Sequence, residues 1–517
     1  MSHSSLRTAF FLLFILIFNA GSSSLAAQSR WVHPGPDGKL VYARSPQGDR
    51  IADYSFAGYE GGGVALPAVA AKRKLAPTGA DDTSAIQKAI DEVSALPLVN
   101  GFRGAVELAA GTFQCSGTLT IAASGVVLRG AGSAATTIQM TGDPHLALRI
   151  GGQLQQKETG VRTVVTDAYI PAGATVLHLA DASKLQPGDT VVIDKPVTAT
   201  WIHFMGMDDL NRVGREEHWI GKDHLEVRRH IAAISGNTIK LDVPLMDNYD
   251  TKFFEGIAPA VHEVEANGQI AQVGVENLRI LAPMRRIALD DPHYDGLILN
   301  DVVDSWLQGV NFEETTNSVQ IGSDAERVTV LRCDVTQHEP VTSSAKPFDF
   351  STNGSQILFD RCTGKGDATF FFATQARQQG PVVVLHCRFL GDGHIQPHQR
   401  WFTGLLIDNC EVPDGGIDLK NRGVMGSGHG WAIGWAVAWN NTAKTLEMNE
   451  PPEVANWSIG NRGDQFNPPM PVHGHEKPQL QGAFTESAGK PVKPQSLYLA
   501  QLAERLGPSA LKNIGYE

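Results

Sequence analysis

The chain has 517 residues and a net charge of −12, so it lacks the basic footprint of a nucleic-acid binder, and any hold on an acidic polymer must come from a local cationic cleft. Fifty-three glycines, 7 % aromatic residues and few helical periods fit one long β-rich body with insertions better than a string of helical domains. Five cysteines without a CxxC pair argue against a disulfide framework and against a zinc site.

The N-terminus places Arg7 and Thr8 before an apolar run from Ala9 to Phe18, then small residues to Leu25-Ala26-Ala27. This reads as a signal peptide over residues 1–27, cleaved near Ala27, and predicts a secreted or periplasmic protein with no membrane partner. Next comes Asp82 to Asp91, where an Asp or Thr N-cap precedes apolar residues at 86, 89 and 90. That pattern predicts a helix capping the end of whatever strands follow. Short alternating strands broken by glycine then appear at 104–108, 111–113, 119–121 and 126–132.

Taken together, the run from Asp81 to Ile90, Gly104-x-Val106-x-Leu108-x-x-Gly111-Thr112-Phe113 and Leu128-Arg129-Gly130-x-Gly132 resembles the N-terminal signature of the pectate-lyase-like superfamily. The resemblance covers most of residues 75–465. It implies a right-handed parallel β-helix, and it implies cleavage of polysaccharides by lyase or glycoside hydrolase chemistry. Its motifs specify the scaffold far better than the reaction, so the function has to be read from the site.

Residues 160–250 depart from coil spacing and predict an inserted β subdomain, with strands at 175–179, 189–193 and 238–241. Between them, Trp201 to His230 is rich in Trp, His, Met, Arg and Glu. It reads either as a flap over a substrate cleft or as a structural loop or subunit contact. The expected division is residues 28–159 for the cap and first coils, 160–250 for the insertion, 251–465 for the main β-helix and 466–517 for a tail with a short helix.

The main body repeats a cysteine. Cys333, Cys362, Cys387 and Cys410 are separated by 29, 25 and 23 residues, and each follows two apolar residues of a strand, as in Val328-x-Val330-x-x-Cys333. The series continues to Asn441 through Ala436-x-Ala438. A strand repeat of this period means a β-solenoid, here all-β and single-stranded, whose coils lie about 4.8 Å apart and stack equivalent positions into ladders. The cysteines then form one buried ladder of reduced thiols. Leu358, Val383, Leu406 and Val437 would form an apolar outer stripe, which the insertion or the helix around Leu497 to Leu506 must cover.

The second strand of each unit aligns Val319-Gln320-Ile321, Phe348-Asp349-Phe350, Phe370-Phe371-Phe372, Ile395-Gln396-Pro397, Ile417-Asp418-Leu419 and Leu446-Glu447-Met448. The face continues into His398 and Lys420, then Arg400 and Arg422, each pair one coil apart. Stacked cations repel, so their grouping points to an anionic ligand such as a uronate. β-Elimination needs the carboxylate neutralised, a base for C5 and a proton for the leaving oxygen. Arg400 and Arg422 are the candidate clamps, with His398 or Lys420 as a base of lowered pKa. Activity is accordingly expected to rise toward neutral or alkaline pH. His429, in the turn Gly426 to Trp431, joins the catalytic candidates; Asp349, Asp418, Asn421, Trp401 and Trp431 are the candidate substrate contacts, Trp431 as a sugar platform.

A glycoside hydrolase is the alternative, and it needs two carboxyls about 5 to 9.5 Å apart. Asp349 and Asp418, three coils apart at about 14 Å, fail; Asp360 and Asp408, at roughly 10 Å, are marginal. Gly428-His429-Gly430 resembles the Gly-His-Gly of polygalacturonase-type hydrolases, but the aspartates of that family's pattern have no counterpart on neighbouring coils, Asp290-Asp291 lying too early. A non-catalytic glycan-binding β-helix is the third reading. Asp349, Asp367, Asp392 and Asp418 are the oxygen ligands that Ca²⁺ beside a uronate would use, and Pro397 argues against His394 and His398 as a helical zinc pair.

Overall fold

The computed structural model describes residues 27–210, 219–221, 224–284, 288, 291–339, 346–472, 475–479 and 485–517. The leader thus lies outside the described residues except for Ala27, as do parts of the Trp201 to His230 loop. Short strands wind into two long parallel sheets. One runs from Ala71–Leu75 through Gly104–Leu108, Val126–Gly130, Gly274–Glu276, Val302–Gln308, Glu326–Leu331, Ser355–Asp360, Gln379–Leu385 and Phe402–Asp408 to Val437–Trp439 and Trp457–Ile459. The other is built from the following strands of each coil, including Asn317–Ile321, Phe348–Thr352, Phe370–Thr374, His394–Ile395, Glu411–Leu419 and Thr442–Met448. The chain is therefore a parallel β-helix, and the amphipathic helix Thr83–Ser94 buries Ile86, Ala89, Ile90 and Val93 against its first coils. Among the described residues no helix is long and apolar enough to cross a membrane.

The turn between the sheets explains the cysteine repeat. Val330 pairs with Phe359, Phe359 with Val384, Val384 with Ile407 and Ile407 with Ala438, so Cys333, Cys362, Cys387, Cys410 and Asn441 fall in one column. All the cysteines are free and buried. Each turn requires a left-handed residue just before the column, and Arg332, Arg361, His386, Asn409 and Asn440 have φ of 50, 53, 49, 54 and 53°. Such backbone is costly for non-glycine residues. The cost is offset because each strained amide donates to the next coil: Arg332 to Asp360, Arg361 to Leu385, His386 to Asp408 and Asn409 to Trp439, at 2.9 to 3.0 Å. Where the cysteines stop, asparagines take over the column. Asn441 Oδ1 accepts from the Cys410 amide at 2.7 Å, and Asn461 Oδ1 from the Asn441 amide at 2.8 Å.

Leu358, Val383, Leu406 and Val437 are buried beneath two chain ends. Leu497, Tyr498 and Leu502 of the helix Leu497–Leu506 pack with them, as do Tyr54 and Ala57 from the N-terminal segment. Each large side chain so buried contributes about 1.5–3 kcal/mol. Asp408 Oδ2 accepts from Ser496 Oγ at 2.7 Å and from the Tyr498 amide at 2.8 Å, holding the start of that helix. Asp360 Oδ1 accepts from the Tyr516 hydroxyl at 2.5 Å. Asp360 and Asp408 therefore tie down the C-terminal segment, which removes them as a hydrolytic pair.

The insertion forms an antiparallel sheet in the order Gln155–Val164, Ala260–Asn267, Thr190–Pro196, His224–Ser235, Thr238–Leu241, Val176–His178. It is bolted to the β-helix by buried charge. Arg229 donates to the carbonyls of Pro244 and Gly380 at 3.2 and 2.8 Å. Lys195 pairs with Asp247 at 2.7 Å, and Asp247 accepts from the indole nitrogens of Trp401 and Trp435.

Candidate active site

A cleft of about 690 Å³ opens along the second sheet, lined by Lys346, Phe348, Phe370, His394, Gln396, His398, Asp418, Lys420, Arg422 and His429 among others. Its floor follows from register. Phe350 pairs with Phe372, Phe372 with Ile395, Ile395 with Ile417 and Ile417 with Leu446, and these apolar residues face the core. The next residues along the last three strands, Gln396, Asp418 and Glu447, turn outward, and the chain runs on from there to His398 and Lys420.

Charge in the cleft is organised around one ammonium. Lys420 Nζ lies 3.0 Å from Asp418 Oδ2 and 2.8 Å from Glu447 Oε2. Burial alone would lower its pKa, but the two carboxylates outweigh burial and raise it, so Lys420 is protonated and not the neutral base that its cationic neighbours suggest. An ammonium has three donors; two are engaged here. Burial would raise Asp418, yet Lys420 and His394, whose Nδ1 is 2.8 Å away, bring it down to about 2. Gln396 also donates to Asp418. Burial raises Glu447, against the pull of Lys420.

His398 behaves oppositely. Burial first, then Arg422 and Arg400, lower its pKa to about 4, so the imidazole is neutral at pH 7. Its ring lies 4.7 Å from that of His429 and 5.4 Å from Phe348. Arg422 is 7 % exposed and donates from Nη1 to the His398 carbonyl at 2.7 Å. Its guanidinium sits 5.6 Å from the centre of the Phe370 ring, and its buried Nε has no acceptor among the described residues. The turn that carries His429 is glycine-built for space. A Cβ on Gly426, at φ 58°, would lie 2.2 Å from the His429 ring, and one on Gly430, at φ 56°, would lie 2.4 Å from Trp219.

A family described as "Domain of unknown function (DUF4955)" matches residues 371–513. No curated protein matches the chain significantly. Among solved structures, the tailspike protein gp49 of Pseudomonas phage LKA1 is similar at 14 % identity and a TM-score of 0.33, over 74 % of this chain and 69 % of that one. The polygalacturonase of Erwinia carotovora ssp. carotovora is similar at 13 % and 0.37, over 84 % and 96 %. The A-module of the Azotobacter vinelandii mannuronan C-5 epimerase AlgE4 is similar at 12 % and 0.29, over 83 % and 96 %. Such distant likenesses leave the chemistry to the residues of the cleft.

Of the residues singled out in the sequence, His398, Lys420, Arg422, His429 and Asp418 share this cleft. Arg400 turns to the Gly-rich turn instead, its Nη2 donating to the Ser427 carbonyl and hydroxyl at 2.7 and 2.8 Å. Trp401 and Trp431 are not sugar platforms. Both are buried in the aromatic cluster that Trp201 and Trp219 of the insertion complete, Trp431 donating to the Met205 carbonyl. Asn421 is buried and accepts from the Gly423 amide as a turn former.

Asp349 also leaves the cleft. The sequence alignment set Asp349 beside Gln320, whereas Val319 pairs with Phe350 and Gln320 with Ser351. A second two-residue slip, with an irregularity between Phe370 and Phe372, puts Phe372 rather than Phe370 opposite Ile395. Asp349 ends up fully buried, bonded to Thr369 at 3.1 Å, with Oδ2 unpartnered among the described residues, and burial pushes its pKa to about 8. The four aspartates expected around Ca²⁺ do not gather: Asp367 and Asp392 accept turn amides, at 3.0 and 2.7 Å. Among the described residues no three acidic, His or Cys side chains form a metal set.

Phe348 and Phe370, stacked 4.9 Å apart in the cleft, carry no mark in the sequence beyond strand alternation. The carboxylate pair of Asp418 and Glu447 on adjacent coils does carry one, as two acids at the same outward position of neighbouring repeats.

Proposed function

We propose that the protein is an exported polysaccharide lyase that cleaves a uronate-containing glycan by β-elimination. The observation that carries this reading is a neutral imidazole, His398, beside a buried guanidinium, Arg422, whose Nε lacks an acceptor among the described residues, in an otherwise acidic protein. A uronate carboxylate supplies that acceptor through a charge-assisted hydrogen bond. The apolar face of the sugar rests on Phe348 and Phe370.

His398 then removes the C5 proton. The C5–H electrons form the C4=C5 double bond, the C4–O bond breaks, and the third N–H of Lys420 protonates the leaving oxygen. Asp418 and Glu447 keep Lys420 charged until that step. Substrate also tunes its own base: a carboxylate between the cations cancels the part of the His398 shift that Arg422 and Arg400 cause, raising the imidazole's proton affinity where it is needed.

One observation favours hydrolysis as a second reading. Asp418, held low, and Glu447, held high, are paired carboxyls with separated pKa values, as an acid and base require. Both are nearly fully buried on Lys420, which favours a structural role. The variants His398→Ala and Glu447→Gln, assayed on acidic polysaccharides, separate the readings. Elimination predicts loss of about 10²–10⁴-fold in turnover for His398→Ala. Hydrolysis predicts that Glu447→Gln is the silent enzyme and that His398→Ala stays active.

A further inference from the structure

The atom of His398 that takes the proton is fixed by a residue on the preceding coil. Gln375 follows the strand Phe370–Thr374, and its amide is held by the Thr352 carbonyl at 2.9 Å. Its Oε1 lies 2.9 Å from His398 Nδ1, while the His398 amide donates to the Thr374 carbonyl at 2.9 Å. Backbone and side chain of the histidine are thus both registered to Thr374-Gln375. An amide oxygen only accepts, so Nδ1 must carry the hydrogen, and Nε2 is left as the lone-pair nitrogen of the neutral ring.

We infer that Gln375 is a positioning residue for the elimination: by accepting from Nδ1–H it holds His398 in the tautomer whose Nε2 receives the C5 proton. This rests on the lyase reading for its chemistry, though not for its geometry. The charged and titratable groups around the ring are Arg400 on its own turn and Lys420, Arg422 and His429 beyond it. Among the described residues none of these is a carboxylate in contact with His398, so a neutral acceptor orients the ring without giving it a counter-charge. That distinguishes the arrangement from a histidine backed by aspartate, in which orientation and raised proton affinity come together.

The test uses the full chain with ¹⁵N-labelled histidine, reading the ring-nitrogen shifts of His398 in the parent, Gln375→Met and Gln375→Glu, with kcat and KM on a cleaved acidic polysaccharide. The parent should show Nδ1–H. Gln375→Met, which keeps the bulk and loses the acceptor, should show mixed tautomers, a kcat lower by on the order of 10–100-fold and a nearly unchanged KM. Gln375→Glu should restore the Nδ1–H tautomer and move the acidic limb of the pH profile upward, because a carboxylate favours the imidazolium. An unaltered tautomer in Gln375→Met, or a Gln375→Glu variant whose tautomer is also mixed, would overturn the assignment. If the tautomer follows residue 375 but no form of the protein yields unsaturated product, Gln375 still sets the imidazole and the elimination reading is the one that fails.

Discussion

Two ladders run along this β-helix, and they use the same geometry for opposite ends. In the turn column the strained amides from Arg332 to Asn440, and the side chains of Asn441 and Asn461, find partners one coil away. In the cleft, the same spacing stacks His398, Lys420, Arg422 and their neighbours, and leaves the buried Nε of Arg422 without a partner among the described residues. A coil spacing of about 4.8 Å suits apolar groups and amide chains, and is uncomfortable for like charges. Where a solenoid tolerates that discomfort, a ligand is the natural reason.

Breaking the ordered half has the largest effect. Ending the chain at residue 475 removes the helix Leu497–Leu506, uncovers Leu358, Val383, Leu406 and Val437, and strips Asp408 Oδ2 of its donors Ser496 and Tyr498. At about 1.5–3 kcal/mol per large side chain, the truncated protein should melt far lower or fail to fold. A soluble truncation with the parent Tm would show that the covering contributes little.

Breaking the cleft costs activity and not fold. Arg422→Lys keeps the charge and loses the forked donor, so kcat/KM should fall by about 10²–10³-fold with Tm unchanged. In the parent, kcat/KM should rise through an acidic limb near the His398 value of about 4 and stay flat through neutral pH. That places the acidic limb lower than the sequence alone suggests, because burial acts on the imidazole together with the two arginines.

The fold was legible because its signal is periodic: cysteine after two alternating apolar residues is a turn position, whatever the coil length. The site was legible only where the period held. From Gln396 onward the strands pair as the sequence aligns them, which is why His398, Lys420 and Arg422 come together. Before that point the two-residue slips at Phe350 and Phe372 misplace Asp349. Trp401 and Trp431 look like substrate contacts in sequence because the indoles that cover them, Trp201 and Trp219, come from an insertion about 200 residues earlier.

Asp349 sharpens the comparison at smaller scale, as a misfit within the ordered interior. Its carboxyl titrates at about 8 when folded and near 4 when unfolded, so folding favours its protonated form and stability is lost as pH rises through that interval. Asp349→Asn should therefore raise stability at pH 8 by a few kcal/mol and change little at pH 4. Equal effects at both pH values would mean that the carboxyl is solvated. Smallest of all, Cys362→Ala with Cys387→Ala should cost about 1 kcal/mol each as small cavities, leave kcat unchanged, and leave the remaining thiols inert to reagents until the protein unfolds. Disulfides among the four would contradict the column.

The most direct test of the central claim is the ratio of unsaturated uronate ends, read by ultraviolet absorbance, to new reducing ends released from acidic polysaccharides. Elimination predicts one unsaturated end for each reducing end, and neither from His398→Ala. Reducing ends that appear without unsaturated product would contradict it and establish hydrolysis in its place.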